Sequence, residues 1–445
     1  MKGRGAEPQT GRVAALNSEG EGVIRDGKAA FVAGALPGEL ISYQRLTQHK
    51  SHDEARLLEV LEPSPERIDP RCAHFGVCGG CALQHIDHAA QLAIKDGELR
   101  EALGRVGQVE PQQWLEPLAG PAWGYRRRAR LGARYVNAKQ RALVGFRERL
   151  SSFVAELSRC EVLVPQVGGM LKELSALVSQ LSIRTRMPQI EVAAADNQTA
   201  LVLRTLLPLT GEDRVLLQQF EQAHAVRFYL QAGSPDDLET LDGLDSPLWY
   251  ELPEFAVRLQ FRPSDFIQVN GAMNRLLVSR VIELLQLDAQ STVLDLYCGL
   301  GNFTLPLARR AAAVLGIEGD AGLVQRARDN AAANQLDNVR FETANLAGDE
   351  AAAQCLRLAG EPGRYSHVLI DPPRTGARDI LPAIAKLAPR RLVYVSCHPG
   401  SLARDLGELV RDHGFVLRAA GIVDMFAQTT HLESIAVLDG PGVTP

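Results

Sequence analysis

The seven cysteines of this 445-residue chain fall into distinct settings, and two of those settings could do chemistry. Cys397 ends the apolar run RLVYVSC, which reads as a strand delivering its last residue to the carboxyl edge of a sheet, where open α/β folds gather ligand-binding groups. His398 follows it, and Gly400 and Ser401 lead into a helical pattern whose N-terminus would favour a thiolate, so Cys397 is a candidate nucleophile. Cys72, Cys78 and Cys81 are separated by five and two residues, and with Cys160 far downstream they supply four thiolates, enough for an iron-sulfur cluster or a structural zinc. An odd cysteine count argues against a disulfide framework. Cys298 packs a glycine turn and Cys355 sits in an Ala/Leu-rich helix, so both read as structural.

A second cluster of signals points to a nucleoside ligand. The run VLDLYCGLGNF (293–303) is a strand carrying Asp295, a turn with Gly299 and Gly301, then a helix; glycines there let a ligand approach the backbone closely. Another strand ends in Glu318, near the step of about twenty residues at which an acidic side chain meets ribose hydroxyls. The third glycine of a dinucleotide fingerprint is missing, so a mononucleoside without pyrophosphate fits better than NAD. Asp371-Pro372-Pro373-Arg374 ends a further strand at the same edge. Residues 123–149 concentrate positive charge, including Arg126, Arg127, Arg128, Arg130, Arg134, Lys139, Arg141, Arg147 and Arg149, with Trp123, Tyr125 and Tyr135 interleaved; phosphate contact and base stacking are expected of such a segment.

These groups need a scaffold, and the length implies two or three domains. Residues 10–62 alternate in short β runs broken by Gly and Pro, as in a small OB-like β-barrel, and Pro63, Pro65 and Pro70 mark its exit. The expected division is 1–63 for the barrel, 64–255 for a central α+β region and 256–445 for a doubly wound, Rossmann-like α/β domain, with parts of 88–121 able to pack on the last. Helical spacing covers 88–106 and 166–181; antiparallel strands are expected within 123–153 and around Asp196-Asn197; a helix is expected from Asn302. A net charge of -5 and a pI near 6.1 exclude a protein that coats nucleic acid indiscriminately. No apolar run is long enough to span a bilayer and the N-terminus does not read as a secretory signal, so a cytoplasmic protein without membrane contact is expected.

In order along the chain, DLYCGLGNF, GIE, ETANL, DPPR and VYVSCHPGSLARDL resemble the motifs of the RNA uracil-C5 methyltransferase family. That resemblance implies S-adenosyl-L-methionine as cofactor, with Gln268, Tyr297, Asn302, Glu318, Asn345 and Asp371 in its pocket and Gln268 and Asp371 also near the target base. It implies Cys397 as the nucleophile and Glu433, in the element HLES with His431 beside it, as the general base. The chemistry asks for such a pair: thiolate addition to C6 of uracil makes C5 nucleophilic, and a base must then remove the C5 proton. GEGVIRDGKAAFVAGALPGE resembles a TRAM domain, an RNA-binding barrel. DPRCAHFGVCGGCALQH, with SRCEVLVP, resembles the [4Fe-4S] segment of the bacterial ribosomal branch, which implies Cys72, Cys78, Cys81 and Cys160 as ligands and 23S rRNA as substrate. The target base must leave any stack, so a single-stranded loop or remodelled hairpin, bound by a monomer, is expected. The alternatives are the same reaction on tRNA or another 23S rRNA uridine, and a non-catalytic iron-sulfur RNA-binding protein.

Overall fold

The structure, a computed structural model, describes residues 7–234, 237–244 and 246–442. Near the N-terminus, Gln9–Arg12 pairs with Leu40–Gln48 at one edge of a six-stranded sheet, and Ala15–Leu16 pairs with Glu21–Ile24 at the other. Only Val13 and Ala14 separate those two edge strands, so one bent stretch of chain runs along both edges and closes the sheet on itself. Val13, Ile24, Val32, Ile41 and Tyr43 fill its small core. The exit is pinned by the buried Glu39 carboxylate, which Arg67 Nε meets at 2.5 Å.

The central region is a second six-stranded sheet whose inner strands are Arg128–Val136, Gln189–Ala194, Thr199–Arg204 and Val226–Gln231. The helix Leu171–Gln180 covers it with Leu171, Leu174, Leu177 and Val178, the spacing that puts apolar side chains on one helix face. Leu248–Leu252 and Val257–Phe261 then pair as a hairpin straddling residue 255. The boundary expected at 255/256 therefore cuts a paired element, whose Leu248, Tyr250, Val257 and Leu259 pack into the C-terminal core.

The C-terminal sheet has eight strands: β1 (Gln113–Trp114), β2 (Thr292–Leu296), β3 (Ala313–Glu318), β4 (Val339–Thr343), β5 (His367–Ile370), β6 (Arg391–Ser396), β7 (Val416–Val423) and β8 (Glu433–Asp439). Their order is β4-β3-β2-β5-β6-β8-β7-β1, parallel except for β8, which runs against both neighbours. Both faces are covered, so β2, β5 and β6 are nearly continuous apolar runs. The helix expected from Asn302 is only the turn-and-a-half Thr304–Ala308, and Arg309 begins its exit.

Helix α1 (His88–Ala102), capped by the Asp87 side chain, lies against this sheet rather than the central one. A π-helical turn, Leu103–Gly107, follows it and meets helix α2 (Pro399–Arg411) where neither side has room for a side chain: a Cβ on Gly107 would come within 2.6 Å of Ala403 O, and one on Gly407 within 2.6 Å of Gly107 O. Together with β1, this makes residues 88–118 part of the C-terminal packing unit.

Candidate active site

Strand register brings the reacting candidates to one edge. Strand β6 ends at Ser396, which pairs with Ser434 of β8, so the next positions outward are Cys397 and Glu433. On its other side Glu433 pairs with Val423 of β7. Asp371 follows β5, whose Ile370 pairs with Tyr394 of β6, and its backbone N–H points at Leu296 O of β2. The antiparallel strand is what makes this possible: a parallel β8 would have brought its C-terminal end, not Glu433, to the edge that carries Cys397.

The electrostatics follow from burial. Glu433 and Asp371 are enclosed; burial pushes Asp371 up to about 7, and burial together with the Asp371 charge raises Glu433 well above the usual carboxylate range. Two such carboxyls do not both ionise near neutrality, so the pair retains one proton and loses the other near pH 7. Burial, then the Glu433 and Asp371 charges, lifts the Cys397 thiol to about 11, with Arg374 pulling the other way. The thiolate expected from the helix N-terminus is thus absent in the substrate-free site. Helix α2 does begin just beyond Cys397, but its Ser401 N–H is taken by His398 Nδ1 at 3.1 Å, and burial, followed by the two carboxyl charges, raises the thiol.

The loop 424–432 joins β7 to β8 and carries His431, and it is held by groups the sequence did not suggest. Lys95, buried on α1, donates to Asp424 Oδ1 at 2.6 Å and to Phe426 O at 3.1 Å, while His88 Nε2 lies 2.8 Å from Asp424 Oδ2. Gln91 donates to Gln428 Oε1, and the backbone N–H groups of Ala82 and Leu83 both reach Gln428 O. Asp424 adjoins Val423, the partner of Glu433, so these contacts fix the base of the hairpin at Glu433 itself. The only signal in the sequence was Asp424 inside the apolar run GIVDMFA.

At the neighbouring strand ends, Tyr297 sits in the left-handed region with φ of 64° and its hydroxyl donates to Leu346 O at 3.0 Å. Glu318 accepts from Gly299 N at 3.1 Å, Gly319 N at 2.7 Å and Asp320 N at 3.1 Å, fixing the carboxylate beside the glycine turn. The two glycines differ: a Cβ on Gly299 would point into open space, whereas on Gly301 it would strike Leu305 at 2.3 Å. Only Gly299 leaves room for a ligand; Gly301 serves packing. Asp295, raised to about 8 by burial, accepts from Thr304 Oγ1 at 2.5 Å while its Oδ1 is buried without a protein partner. Asn302 exchanges two amide hydrogen bonds with Asn274 and accepts from Tyr250, so it braces the turn. Gln268 is buried with its carbonyl accepting from Arg127, and Asn345 is exposed.

Cys397 opens on a cleft of about 820 Å³ to which every region contributes: Ser18 and Glu19 from the barrel, Gly79–Ala82 from the cysteine loop, Arg105 near α1, Arg126, and Arg374 and Thr429–Leu432 from the C-terminal domain. Behind it, Cys72, Cys78, Cys81 and Cys160 line a single small cavity of about 20 Å³. The segment 123–149 is not the free basic face its composition suggests. Arg127 is buried over the Tyr250 ring, and the half-buried Arg128 donates to Pro263 O. Lys139 and Arg141 share Glu156, Arg130 pairs with Glu191, and Arg149 with Glu21. Tyr125 is buried with its hydroxyl on Ala427 O, so it does not stack on a base. Along the strand the inward alternate positions are Ala129, Leu131 and Ala133, while Arg128, Arg130 and Arg134 share the other face.

A mostly parallel sheet with one antiparallel strand inserted between β6 and β7, a glycine turn after β2 and an acid at the end of β3 define a Rossmann-like α/β methyltransferase domain. Residues 252–440 match the family described as tRNA (Uracil-5-)-methyltransferase. The 23S rRNA (uracil(1939)-C(5))-methyltransferase RlmD of Nitrosococcus oceani is 49% identical over 97% of this chain and 96% of its own, and that of Stenotrophomonas maltophilia 46% identical over 95% of each. The chain belongs to this family of 23S rRNA (uracil(1939)-C(5))-methyltransferases. The fold is shared with the Pyrococcus abyssi tRNA (uracil-54, C5)-methyltransferase solved with S-adenosyl-L-homocysteine, at a TM-score of 0.74, 22% identity, and coverage of 97% of this chain and 100% of that one.

Proposed function

We propose that the chain methylates C5 of the 1939-type uridine of 23S rRNA through a covalent intermediate on Cys397. The observation that carries the mechanism is the register that sets Cys397 beside Glu433, with Asp371 sharing its charge. When bound, S-adenosyl-L-methionine supplies an electrophilic methyl group; the open side of Gly299, the fixed Glu318 carboxylate and the unpartnered Asp295 Oδ1 suit a nucleoside there. Tyr297, Asn302, Asn345, Gln268 and Asp371 complete the proposed pocket.

Cys397 Sγ forms a bond to C6 of the uracil, and its proton passes to the ionised member of the Asp371–Glu433 pair before exchanging with solvent. The electron pair displaced from the C5–C6 bond makes C5 nucleophilic, and C5 takes the methyl group. Glu433, ionised when the pair's retained proton sits on Asp371, removes the C5 proton; the C6–S bond then breaks and the departing thiolate regains a proton from the pair. A base of this kind works best when it titrates near the operating pH, which a pair releasing a proton at about 7 satisfies.

The closed six-stranded barrel is proposed as the TRAM-like RNA-binding module and the four thiols as ligands of a [4Fe-4S] cluster. What supports metal ligation is that the four thiols converge on one small cavity. Iron and sulfide content and visible absorption test that assignment.

Methyl-labelled cofactor and unmodified ribosomal RNA, followed by nuclease digestion and mass spectrometry, test the reaction. Label as 5-methyluridine at one 23S rRNA position is expected; label in tRNA alone would overturn the substrate, and label in no RNA the activity.

A further inference from the structure

Two barrel residues, Ser18 and Glu19, line the cleft that holds Cys397, so the N-terminal module reaches the reacting centre directly. Their turn is rigid. Asn17 Oδ1 accepts from Glu19 N at 3.0 Å and from Glu21 N at 2.9 Å, its amide donates to Glu21 Oε2 at 3.0 Å, and Gly20 N donates to Asn17 O at 3.0 Å. Glu21 is in turn tied to Arg149 of the central region at 3.1 Å.

The turn is also pressed against the catalytic loop. Gly20 has φ of 75°, and a Cβ there would lie 2.9 Å from Thr430 Cγ2 and 3.0 Å from Leu83 Cδ2, so any other residue would push the barrel off the hairpin that leads to Glu433. While Gly20 is buried in this contact, Ser18 and Glu19 remain exposed to the cleft. Glu19 forms no salt bridge among the described residues, and its charge is felt at His431 across the cleft.

A carboxylate at the mouth of a site that receives polyanionic RNA works against binding unless the substrate donates to it. Among the bases, adenine, cytosine and guanine carry an exocyclic amino donor; uracil carries none. We propose that the turn Asn17–Gly20 is a specificity element in which Glu19 accepts a hydrogen bond from the amino group of an unpaired base near the target uridine. Resting on the assignment of the Cys397 cleft to uridine methylation, this makes the barrel a reader of the neighbouring sequence inside the active site, beyond any general hold on RNA.

The test pairs protein and RNA changes. Wild type, Glu19→Gln and Glu19→Ala are assayed on a 23S rRNA fragment and on fragments in which each amino-bearing base within a few nucleotides of the target is replaced, one at a time, by a base lacking that amino group. With the unmodified fragment, Glu19→Ala is expected to lower kcat/KM about tenfold, chiefly through KM, the size of one charge-assisted hydrogen bond. At one position the replacement should penalise wild type about tenfold and Glu19→Ala hardly at all. Additive penalties at every position, or a Glu19→Ala protein that matches wild type, overturn the proposal while leaving the methylation reading intact. A wild-type protein that methylates no fragment overturns both.

Discussion

Burial raises the thiol of Cys397 to about 11, and it raises those of Cys78 and Cys81 to about 11 and about 12. By titration alone these cysteines are alike, and none is a ready thiolate in the substrate-free protein. Their company differs. Cys397 faces an open cleft with the carboxyls of Glu433 and Asp371 beside it; the four other thiols converge on one small cavity, from which Cys81 also borders the cleft. A lone buried thiol beside a base can be deprotonated as it attacks and released afterwards, which is the requirement of a covalent catalyst. Buried thiols that converge on one cavity are stabilised as thiolates by cations placed between them, which is the requirement of a metal site.

The largest effect expected of any single change follows from this contrast. Cys397→Ser should lower methylation by at least about a thousandfold, since removing a nucleophile removes the pathway. Binding of the cofactor, measured by calorimetry, should be unchanged; substantial turnover by that variant would remove the distinction between the two thiol sites. Next in size, Glu433→Gln should slow turnover by about a hundredfold to ten-thousandfold, the usual contribution of a positioned base. Because attack on C6 precedes proton removal, denaturing gels should show a methylated protein–RNA adduct accumulating in that variant, and its absence would assign the base elsewhere.

Cys81→Ser probes the other side. The variant should lose its iron and visible absorption and melt at lower temperature, while its folded fraction still forms the Cys397 adduct with RNA carrying 5-fluorouridine, where no C5 proton is available for removal. Equal loss of adduct and of iron would mean that the thiol cavity takes part in the chemistry. Lys95→Met tests how the base is held: an Asp424 left buried beside His88 alone should destabilise the protein by about 3 to 5 kcal/mol in denaturant unfolding. Asp424→Asn, which keeps the shape, should recover part of that loss.

Much of this arrangement was legible in the sequence because it rests on local pattern. The strand RLVYVSC, the glycine turn and the acid ending β3 announce themselves by hydrophobic runs and punctuation, and each was found within a few residues of its expected place. What escaped depends on long-range register. Nothing local in α1 shows that Lys95 meets Asp424, more than three hundred residues on, or that Gln113–Trp114 extends a sheet whose other strands begin at Thr292. The basic run at 123–149 misled for the same reason: charge counts do not reveal which cations are already engaged, and Arg127 and Arg128 donate to backbone carbonyls. The raised thiol of Cys397 was not legible either, because the helix start beyond it shows in the sequence, whereas its burial and the two carboxyls beside it do not.

The smallest effect is the one that separates the two thiol sites without mutation. For the pair Asp371–Glu433 to accept a proton it must already have lost one, and burial places that loss at about 7. Below this value the pair is doubly protonated and there is no base; above it the base is present. Activity should therefore fall as pH decreases, close to tenfold in kcat/KM per unit below about 7, and level off above it. In Glu433→Gln the inflection should stay near 7, because burial of Asp371 and not a charge on Glu433 sets it. A cluster held by thiolates predicts no such inflection near neutrality, and its absorption should stay constant across the same range. An activity profile flat from pH 6 to 8 would mean that the acid pair is not the proton acceptor, and the contrast between Cys397 and the four clustered cysteines would then rest on access to the cleft alone.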